Sequence, residues 1–361
     1  IAGLSAAWQL ASDRDVVLLE RESVLATHSS ARNAQIWLPV DPDPTTGPLA
    51  RRSAELLTSL LGAEHSWLRR QGAVVLAGDE ERSRQTRDGA RAGGVSASEM
   101  SREELRERAP EVQAEAIPLW VGGAGVFEPS TMLDALARAA RGAGAELRTA
   151  AAVGEIVRDA DAVRGVVLEG GEHLSCDELV IAAGAWAHSL GASAGIEEPL
   201  EPLRRHLVVL SAQARSIVWH FGDEPVYWRP ESGGLLASPC DEVAFDPCLP
   251  AIDPEALELL ASRMARVAPS FVDAPLRTSW ACLRTFAPDR ELVLGPDPRL
   301  RGLAWVAGLG GRGMTVGVAA GLVGVIAITT FVSTTFGAAG TGVGAGFGVV
   351  PEQVHPPNIK A

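Results

Sequence analysis

The chain has 361 residues, of which 47% are hydrophobic and 21% charged, so its composition is that of a folded globular protein and excludes a disordered one. Its 32 basic and 45 acidic residues give a net charge of −13, which disfavours nucleic acid as a partner because nucleic-acid binding needs a basic surface. The four cysteines lack metal-binding spacing, so we predict no metal site and a reduced, cytoplasmic protein.

The chain opens with the pattern of a dinucleotide-binding βαβ unit that lacks its first part. A small-residue helix is expected over 4–12 and a buried parallel strand over 15–20. Ala2 and Gly3 stand at the last glycine of the turn, where a larger side chain would block packing of the helix on the strand. Glu20 stands where an acid binds the adenosine ribose hydroxyls. Because the first strand and the first two glycines are absent, we expect an N-terminally incomplete protein.

Helices and strands follow in an order typical of two interleaved domains. Helices are expected at 49–70, 129–141 and 254–267, with a charged helical stretch over 79–108. Strands are expected at 73–77, 146–150, 153–157, 163–169, 173–175, 206–211, 217–221, 225–229 and 234–237. Residues 179–186 are the strongest signal for a buried strand that ends in a turn. Nucleotide-domain segments therefore lie at both ends and in the middle, with a β-rich part between them.

Six motifs in the same order as in one enzyme family extend this interpretation. They are Leu-Glu-Arg-Glu at 19–22 with His-Ser-Ser-Ala-Arg-Asn-Ala at 28–34, Ala-Ala-Gly-Ala-Trp at 182–186, Leu-Arg-Arg at 203–205, Val-Tyr-Trp-Arg-Pro at 226–230, Trp-Ala-Cys-Leu-Arg-Thr-Phe at 280–286, and Gly-Leu-Gly-Gly-Arg-Gly-Met at 308–314. With these motifs the chain resembles, from residue 1 to about 320, the D-amino-acid oxidase-type flavoproteins. This family includes glycine and sarcosine oxidases, and the motifs are most like those of its D-arginine and other D-amino-acid dehydrogenases.

The resemblance implies an α/β fold in which two domains are interleaved. A Rossmann-like, glutathione-reductase-like FAD-binding domain would comprise 1–48, 127–195 and 280–325, without its first strand. An antiparallel-β substrate domain would comprise 49–126 and 196–279. Residues 326–361 would be an atypical apolar tail rich in Gly, Thr and Ala.

The cofactor implied by the resemblance is FAD, bound without a covalent link. Small residues and backbone N–H groups at these motifs suit close approach to the pyrophosphate. The residues expected to contact FAD are Ala2, Gly3, Glu20, Arg21, Ser29, Ser30, Arg32, Asn33, Ala34, Val153, Ala183, Gly184, Trp186, Gly310, Gly311, Arg312, Gly313, Met314 and Thr315.

On the substrate side, the resemblance points to Arg284, Arg205 and Tyr227. A guanidinium donates two parallel hydrogen bonds to a carboxylate, so Arg284 is expected to bind the α-carboxylate of an amino acid, with help from Arg205 and Tyr227. The implied reaction is oxidative deamination, in which hydride moves from Cα of a D-amino acid to flavin N5. The imino acid is then hydrolysed to a keto acid and ammonia. The electron acceptor, quinone or oxygen, is left open.

Two alternatives stay open, and one is disfavoured. The protein could oxidise N-alkyl amines as sarcosine and glycine oxidases do, or it could be an inactive relic that binds no FAD. A nicotinamide-dependent dehydrogenase is disfavoured by the Arg284 motif and the second glycine-rich turn. Gly72 stands where the D-arginine dehydrogenases carry the carboxylate that binds the substrate guanidinium, which favours a smaller, more apolar substrate.

The C-terminal region departs from the family pattern. Residues 313–351 contain no charged side chain, and 316–332 are nearly all apolar. Such a segment is long enough to suggest contact with the inner face of a membrane, although a buried helix that begins at the flavin is the alternative.

Overall fold

The structure, a computed structural model, describes residues 1–41 and 45–335, with side chains as far as residue 324. Its helices are α1 (Ala2–Leu10), α2 (Thr46–Leu61), α3 (Glu80–Ala92), α4 (Arg102–Arg108), α5 (Pro129–Gly142), α6 (Ala187–Ser193), α7 (Pro254–Val267) and α8 (Gly313–Thr335). Its strands are β1 (Val17–Leu19), β2 (Ile36–Trp37), β3 (Leu68–Arg70), β4 (Ala73–Ala77), β5 (Ala97–Glu99), β6 (Ile117–Val121), β7 (Gly125–Phe127), β8 (Glu146–Arg148), β9 (Val153–Arg158), β10 (Val163–Leu168), β11 (His173–Ser175), β12 (Leu179–Ile181), β13 (Glu201–Leu210), β14 (Ile217–Phe221), β15 (Val226–Glu231), β16 (Gly234–Ser238), β17 (Val243–Ala244), β18 (Leu276–Phe286), β19 (Val293–Pro296) and β20 (Leu303–Ala307). The mixed α/β class expected from the sequence is confirmed.

A nine-stranded mixed sheet forms the β-rich part of the molecule. Its strands run in the order β17-β13-β16-β15-β14-β4-β6-β5, and β18 pairs along the opposite edge of β13. Only the β14–β4 pair is parallel within this sheet. β18 runs continuously across the boundary at residue 280 that the sequence suggested between the two domains.

Both faces of this sheet are buried, so successive residues of a strand enter different cores. In β4, Val74 and Leu76 pack with Trp228 and with α7, whereas Val75 packs on the other face with Tyr227. The second face also receives side chains from β2 and from the segment before it. β4 and β16, in which every residue is buried, are therefore almost continuous apolar runs, as expected when neither face of a strand meets water.

Two smaller sheets lie on the nucleotide side. β1 pairs in parallel with β8, and β12 pairs in parallel with β20, which in turn pairs with β19. Helix α1 packs against both sheets at Gly3. A Cβ at this position would lie 3.5 Å from Ala182 Cβ, beside β12, and 3.8 Å from Leu18 Cδ1 in β1. Within the described ranges, β1 pairs only with β8 and β12 only with β20.

Helices α1 and α8 approach each other closely, which requires glycine. A Cβ on Gly321 would lie 2.7 Å from Ser5 Cβ and 2.8 Å from Ala6 N. The Ser5 hydroxyl, which is buried, donates to Val318 O at 2.6 Å and joins the two helices. The second glycine-rich turn, at the start of α8, is thereby fixed against the start of α1.

Two stretches differ from the sequence expectation. The helix expected over 49–70 ends at Leu61, because Gly62 adopts a left-handed conformation (φ 79°) that stops a helix. The charged stretch over 79–108 forms two helices rather than one, since Asp79 and Ser101 each cap a new helix start and β5 lies between them.

The apolar C-terminal segment continues as α8 to Thr335. Within residues 1–41 and 45–335, no helix combines the length and hydropathy needed to cross a membrane. Residues 336–361, which make up most of the tail expected at 326–361, lie outside the described residues.

The α1–α8 contact yields a stability prediction. Gly321→Ala should lower the free energy of unfolding by about 1–3 kcal/mol, because the added methyl group overpacks the contact with Ser5. Gly142→Ala at the end of α5 is the matched control, since nothing lies within 4 Å of its Cβ. Denaturant unfolding of both variants measures the difference, and equal stabilities would contradict this packing.

Candidate active site

A cavity of about 1410 Å³ lies between the two parallel strand pairs. Its walls include β1 on one side and β12 on the other, and it continues past the carboxyl ends of these strands. In open α/β sheets ligands bind at such carboxyl ends. The cavity is therefore the candidate cofactor site.

About half of the residues expected to contact the cofactor line this cavity. They are Gly3, Glu20, Arg21, Ser29, Ser30, Arg32, Val153, Ala183, Gly184 and Trp186. The expected residues that do not line it are Ala2, Asn33, Ala34, Gly310, Gly311, Arg312, Gly313, Met314 and Thr315. The first group comes from the two strand ends and the loop after β1, and the second largely from the turn before α8.

The mouth of the cavity has the features that a dinucleotide needs. Helix α1 begins at Ala2, so its free N–H groups and positive dipole end lie at the cavity. Glu20 directly follows β1, and its Oε1 accepts a hydrogen bond from Glu22 N at 3.1 Å. Gly184 has φ 53°, and its Cβ position points into open space. These residues fit the FAD that the resemblance implies.

Arg21, Trp186, His28 and Glu22 form a group of contacting side chains at one wall of the cavity, and of these only Arg21 and Trp186 were expected from the sequence. The Arg21 guanidinium lies 4.5 Å from the centre of the Trp186 ring, and the His28 ring lies 4.6 Å from the same ring. His28 Nε2 contacts Glu22 Oε1 at 2.9 Å. His28 and Glu22 were not expected to contact the cofactor. The fold brings them to this wall through their contacts with Trp186 and with each other.

The loop over 28–35, which we call the cofactor loop, docks on the free edge of β18. Ser29 Oγ donates to Leu283 O at 2.5 Å, and Arg32 Nε donates to Ala281 O at 3.3 Å. Both carbonyls belong to β18, whose other edge pairs with β13. The edge of the nine-stranded sheet is thus covered by the loop that lines the cofactor cavity.

A second set of contacts holds the end of the same loop. Arg229, which is 3% exposed, donates to Ala34 O at 2.6 Å and to Gln35 Oε1 at 2.8 Å. Asn33 Nδ2 donates to Ser30 O at 2.7 Å within the loop. Asn33 and Ala34, both expected at the cofactor, therefore shape the loop from behind the cavity wall.

The second glycine-rich turn packs on the sheet rather than on the cavity. Gly310 has φ 52°, and a Cβ there would lie 2.4 Å from the Phe286 ring. Arg312 contacts both Asp41 carboxylate oxygens at 3.3 Å and donates to Arg290 O at 2.6 Å. Arg312 therefore has partners on the neighbouring loops, and its contact with the cofactor stays a prediction.

The expected substrate residues share one face of the nine-stranded sheet. The β13–β18 register places Arg205 opposite Cys282 and Leu203 opposite Arg284, so the two arginines lie on the same side, two residues apart. Tyr227 in β15 lies opposite Ser238 in β16, and it packs in the same apolar cluster as Cys282. The sheet register therefore brings the three residues together.

The two arginines differ in their partners. Arg284, which is 6% exposed, donates to Cys282 Sγ at 2.9 Å and contacts Leu283 O at 3.4 Å. No carboxylate among the described residues forms an ion pair with it. Arg205, which is 8% exposed, forms an ion pair with Glu242 Oε1 at 2.6 Å.

Tyr227 is held as a neutral phenol. Burial raises its pKa to about 12, and the nearby Arg205 and Arg284 guanidinium groups keep it from rising further. The neighbouring Cys240 thiol has its pKa raised to about 11, again because burial disfavours its charged form. At neutral pH this face therefore presents a phenol, a thiol and the Arg284 guanidinium, which no described carboxylate pairs with.

Comparison with known proteins agrees with this geometry. The family model described as "DAO: FAD dependent oxidoreductase" matches residues 1–324. Hydrogen cyanide synthase subunit HcnC of Pseudomonas aeruginosa is 29% identical over 212 residues, which are 56% of this chain and 49% of that protein. Glycine oxidase of Geobacillus kaustophilus is 30% identical over 215 residues, 58% of this chain and 55% of that protein.

The solved structures extend the likeness of fold to most of the chain. L-proline dehydrogenase from P. horikoshii superposes with a TM-score of 0.80 at 21% identity, and the match covers 91% of each chain. The chain spans about half the length of the curated relatives it matches. With a family model that matches 324 of its residues, the chain belongs to the DAO family of FAD-dependent oxidoreductases.

Proposed function

We propose that this protein oxidises a small amino acid at its amino-bearing carbon, with FAD in the cavity and Arg284 as the carboxylate-binding residue. The observation that carries the proposal is the buried Arg284 guanidinium that has no ion-pair partner among the described residues. Burying a cation without an anion is costly, so a bound carboxylate would stabilise this site. The planar guanidinium also suits the two oxygens of an α-carboxylate.

The position of Arg284 supports this role. Leu283, its neighbour in β18, accepts the hydrogen bond from Ser29 of the cofactor loop. Leu283 and Cys282 also line the cofactor cavity. A carboxylate on Arg284 would therefore sit beside the cofactor, and holding it there would orient the Cα–H bond, which contributes much of the rate in such reactions.

Tyr227 would complete the carboxylate site as a hydrogen-bond donor. Its raised pKa keeps the phenol protonated at every physiological pH. Arg205 would support these two residues without contacting the substrate, since its charge is already balanced by Glu242. We therefore assign Arg284 and Tyr227 to direct contact with substrate and Arg205 to their support.

Bound FAD would accept the hydride. The histidines near the site do not serve as a base for the proton of the substrate amine. His206 Nε2 accepts a hydrogen bond from Asp253 N, and His28 is engaged by Glu22. Neither is therefore a base for the substrate amine, so we infer that the amine loses its proton to solvent. The resulting imino acid would be hydrolysed to a keto acid and ammonia.

The substrate is a D-amino acid with a neutral side chain in our proposal. A Cβ on Gly72 would lie 2.0 Å from the Trp120 ring, so this position has no room for a carboxylate side chain that could bind a cationic substrate tail. Glycine or an N-alkyl glycine is the second candidate, and the likeness to a glycine oxidase favours it. With glycine the hydride leaves Cα, as it does with a D-amino acid. With sarcosine it would leave the N-methyl carbon, and hydrolysis of the resulting imine would give formaldehyde and glycine.

One experiment separates these candidates. The full chain loaded with FAD is mixed anaerobically with a panel of D-amino acids, glycine and sarcosine. We expect the flavin absorbance to bleach with a D-amino acid or with glycine, and formaldehyde release from sarcosine identifies the N-alkyl reaction. A protein that binds no FAD, or whose flavin no member of the panel reduces, contradicts the proposal. Reoxidation of the reduced protein by oxygen or by a quinone then identifies the acceptor.

Arg284→Ala tests the carboxylate site directly. Loss of the guanidinium should cost about 2–5 kcal/mol of transition-state binding, which is a decrease in kcat/KM of roughly thirtyfold to several thousandfold. Arg277→Ala is the matched control, because Arg277 is an exposed arginine in the same strand. A kcat/KM equal to that of the control would refute the role of Arg284.

Tyr227 is the only tyrosine in the chain, so tyrosinate absorbance reports its ionisation alone. We expect the midpoint of a near-ultraviolet pH titration near pH 12 rather than 10. The unfolded chain ionises first, so the folded state should lose up to about 3 kcal/mol of stability as the pH rises from about 10 to 12. Tyr227→Phe should abolish the absorbance change, and a wild-type midpoint near 10 would contradict a buried phenol.

A further inference from the structure

Arg205 and Arg284 are neighbours on the substrate face, and of the two only Arg205 forms an ion pair within the part of the chain that the structure describes. Arg205 donates through Nη2 to Glu242 Oε1 at 2.6 Å and through Nε to Asp241 O at 3.1 Å. The second Glu242 oxygen accepts from Arg290 Nη2 at 2.9 Å. Glu242 is thus held by two arginines and balances the charge of the buried one.

The segment that carries Glu242 is fixed from behind. Asp241, which is 5% exposed, accepts hydrogen bonds from His206 N at 2.8 Å and from His206 Nδ1 at 2.6 Å. His206 Nε2 accepts from Asp253 N at 3.0 Å, so the proton of the neutral imidazole is on Nδ1 and points to Asp241. Burial alone would raise the pKa of Asp241. The hydrogen bonds from His206 outweigh this effect and hold the pKa below its ordinary value.

A fixed carboxylate next to a buried arginine has a consequence for ligands. A substrate with one carboxylate needs only Arg284. A second carboxylate on the same face would find Arg205 already occupied and would lie close to the negative charge of Glu242. Like charges placed together in an interface oppose binding, and proteins use such repulsion to reject unwanted ligands.

We propose that Glu242 is a specificity-determining residue that restricts this site to amino acids with a single carboxylate. It occupies Arg205 and adds a negative charge where the second carboxylate of a dicarboxylic amine would bind. Asp241 and His206 are positioning residues that keep Glu242 in place. The inference rests on the proposed function of Arg284.

Two pairs of ligands test the role of Glu242. Within each pair, one ligand carries one carboxylate more than the other. The pairs are D-alanine against D-aspartate and sarcosine against iminodiacetate, which cover both candidate substrates. Dissociation constants are measured by calorimetry on the full chain with its FAD reduced anaerobically, so that no turnover occurs. We expect the wild type to bind the monocarboxylate of a pair at least about tenfold more tightly.

Glu242→Gln should reduce that preference by about tenfold or reverse it, because it removes the negative charge and frees Arg205. Adding Arg205→Gln to this variant should remove the gained affinity for the dicarboxylate. Glu99→Gln is the matched control, since Glu99 lies in the same sheet and pairs with Arg87 at 2.6 Å far from this face. The control should keep the wild-type preference.

The outcomes separate this inference from the proposed function. If the wild type binds the dicarboxylate as tightly as the monocarboxylate, or if Glu242→Gln keeps the preference while binding still depends on Arg284, the role of Glu242 is wrong and the proposed function stands. If the wild type binds neither ligand of either pair, both are wrong. The wild-type preference tests the inference even if the variant fails to fold.

Discussion

The structure depends on the docking of the cofactor loop on the free edge of β18. A strand edge exposes unpaired backbone groups and must be covered. Here Ser29 and Arg32 cover it by donating to Leu283 O and Ala281 O. Because Arg284 directly follows Leu283 in the same strand, this contact sets the position of Arg284, the proposed carboxylate-binding residue, relative to the cavity. Two side chains of the loop, through their hydrogen bonds to the β18 backbone, thus join the cofactor cavity to the sheet that carries Arg284.

The register of the sheet then decides which charges meet. Residues that lie opposite each other in neighbouring strands share a face, so Arg205, Arg284 and Tyr227 converge although they are far apart in sequence. Of the two arginines, one is paired with Glu242, and the other has no ion-pair partner among the described residues. This difference, rather than the presence of arginine alone, is the basis for the proposal that the face binds one carboxylate. Burial excludes water from it and keeps Tyr227 as a phenol.

Local patterns in the sequence predict several residues that the fold brings together at one cavity, and their contact with FAD stays a prediction. Gly3, Glu20 and the turn at Ala183 and Gly184 follow from short motifs at strand ends, and all of them line the cavity. The pairing of Arg205 with Glu242 could not be predicted, because it joins β13 to a loop 37 residues away. For the same reason the sequence does not show that Arg312 contacts Asp41, from which it is separated by 271 residues. The continuous β18 also crosses the domain boundary at residue 280 that the family resemblance implied.

The most direct test of the central claim is a crystal structure of the full chain with FAD and acetate. Acetate has a carboxylate but no amine, so the enzyme cannot oxidise it. We expect the acetate carboxylate on the Arg284 guanidinium, within hydrogen-bond distance of the Tyr227 hydroxyl and beside the flavin, with Arg205 still paired to Glu242. Acetate bound on Arg205 with Glu242 displaced, or FAD bound outside the cavity between β1 and β12, would contradict it.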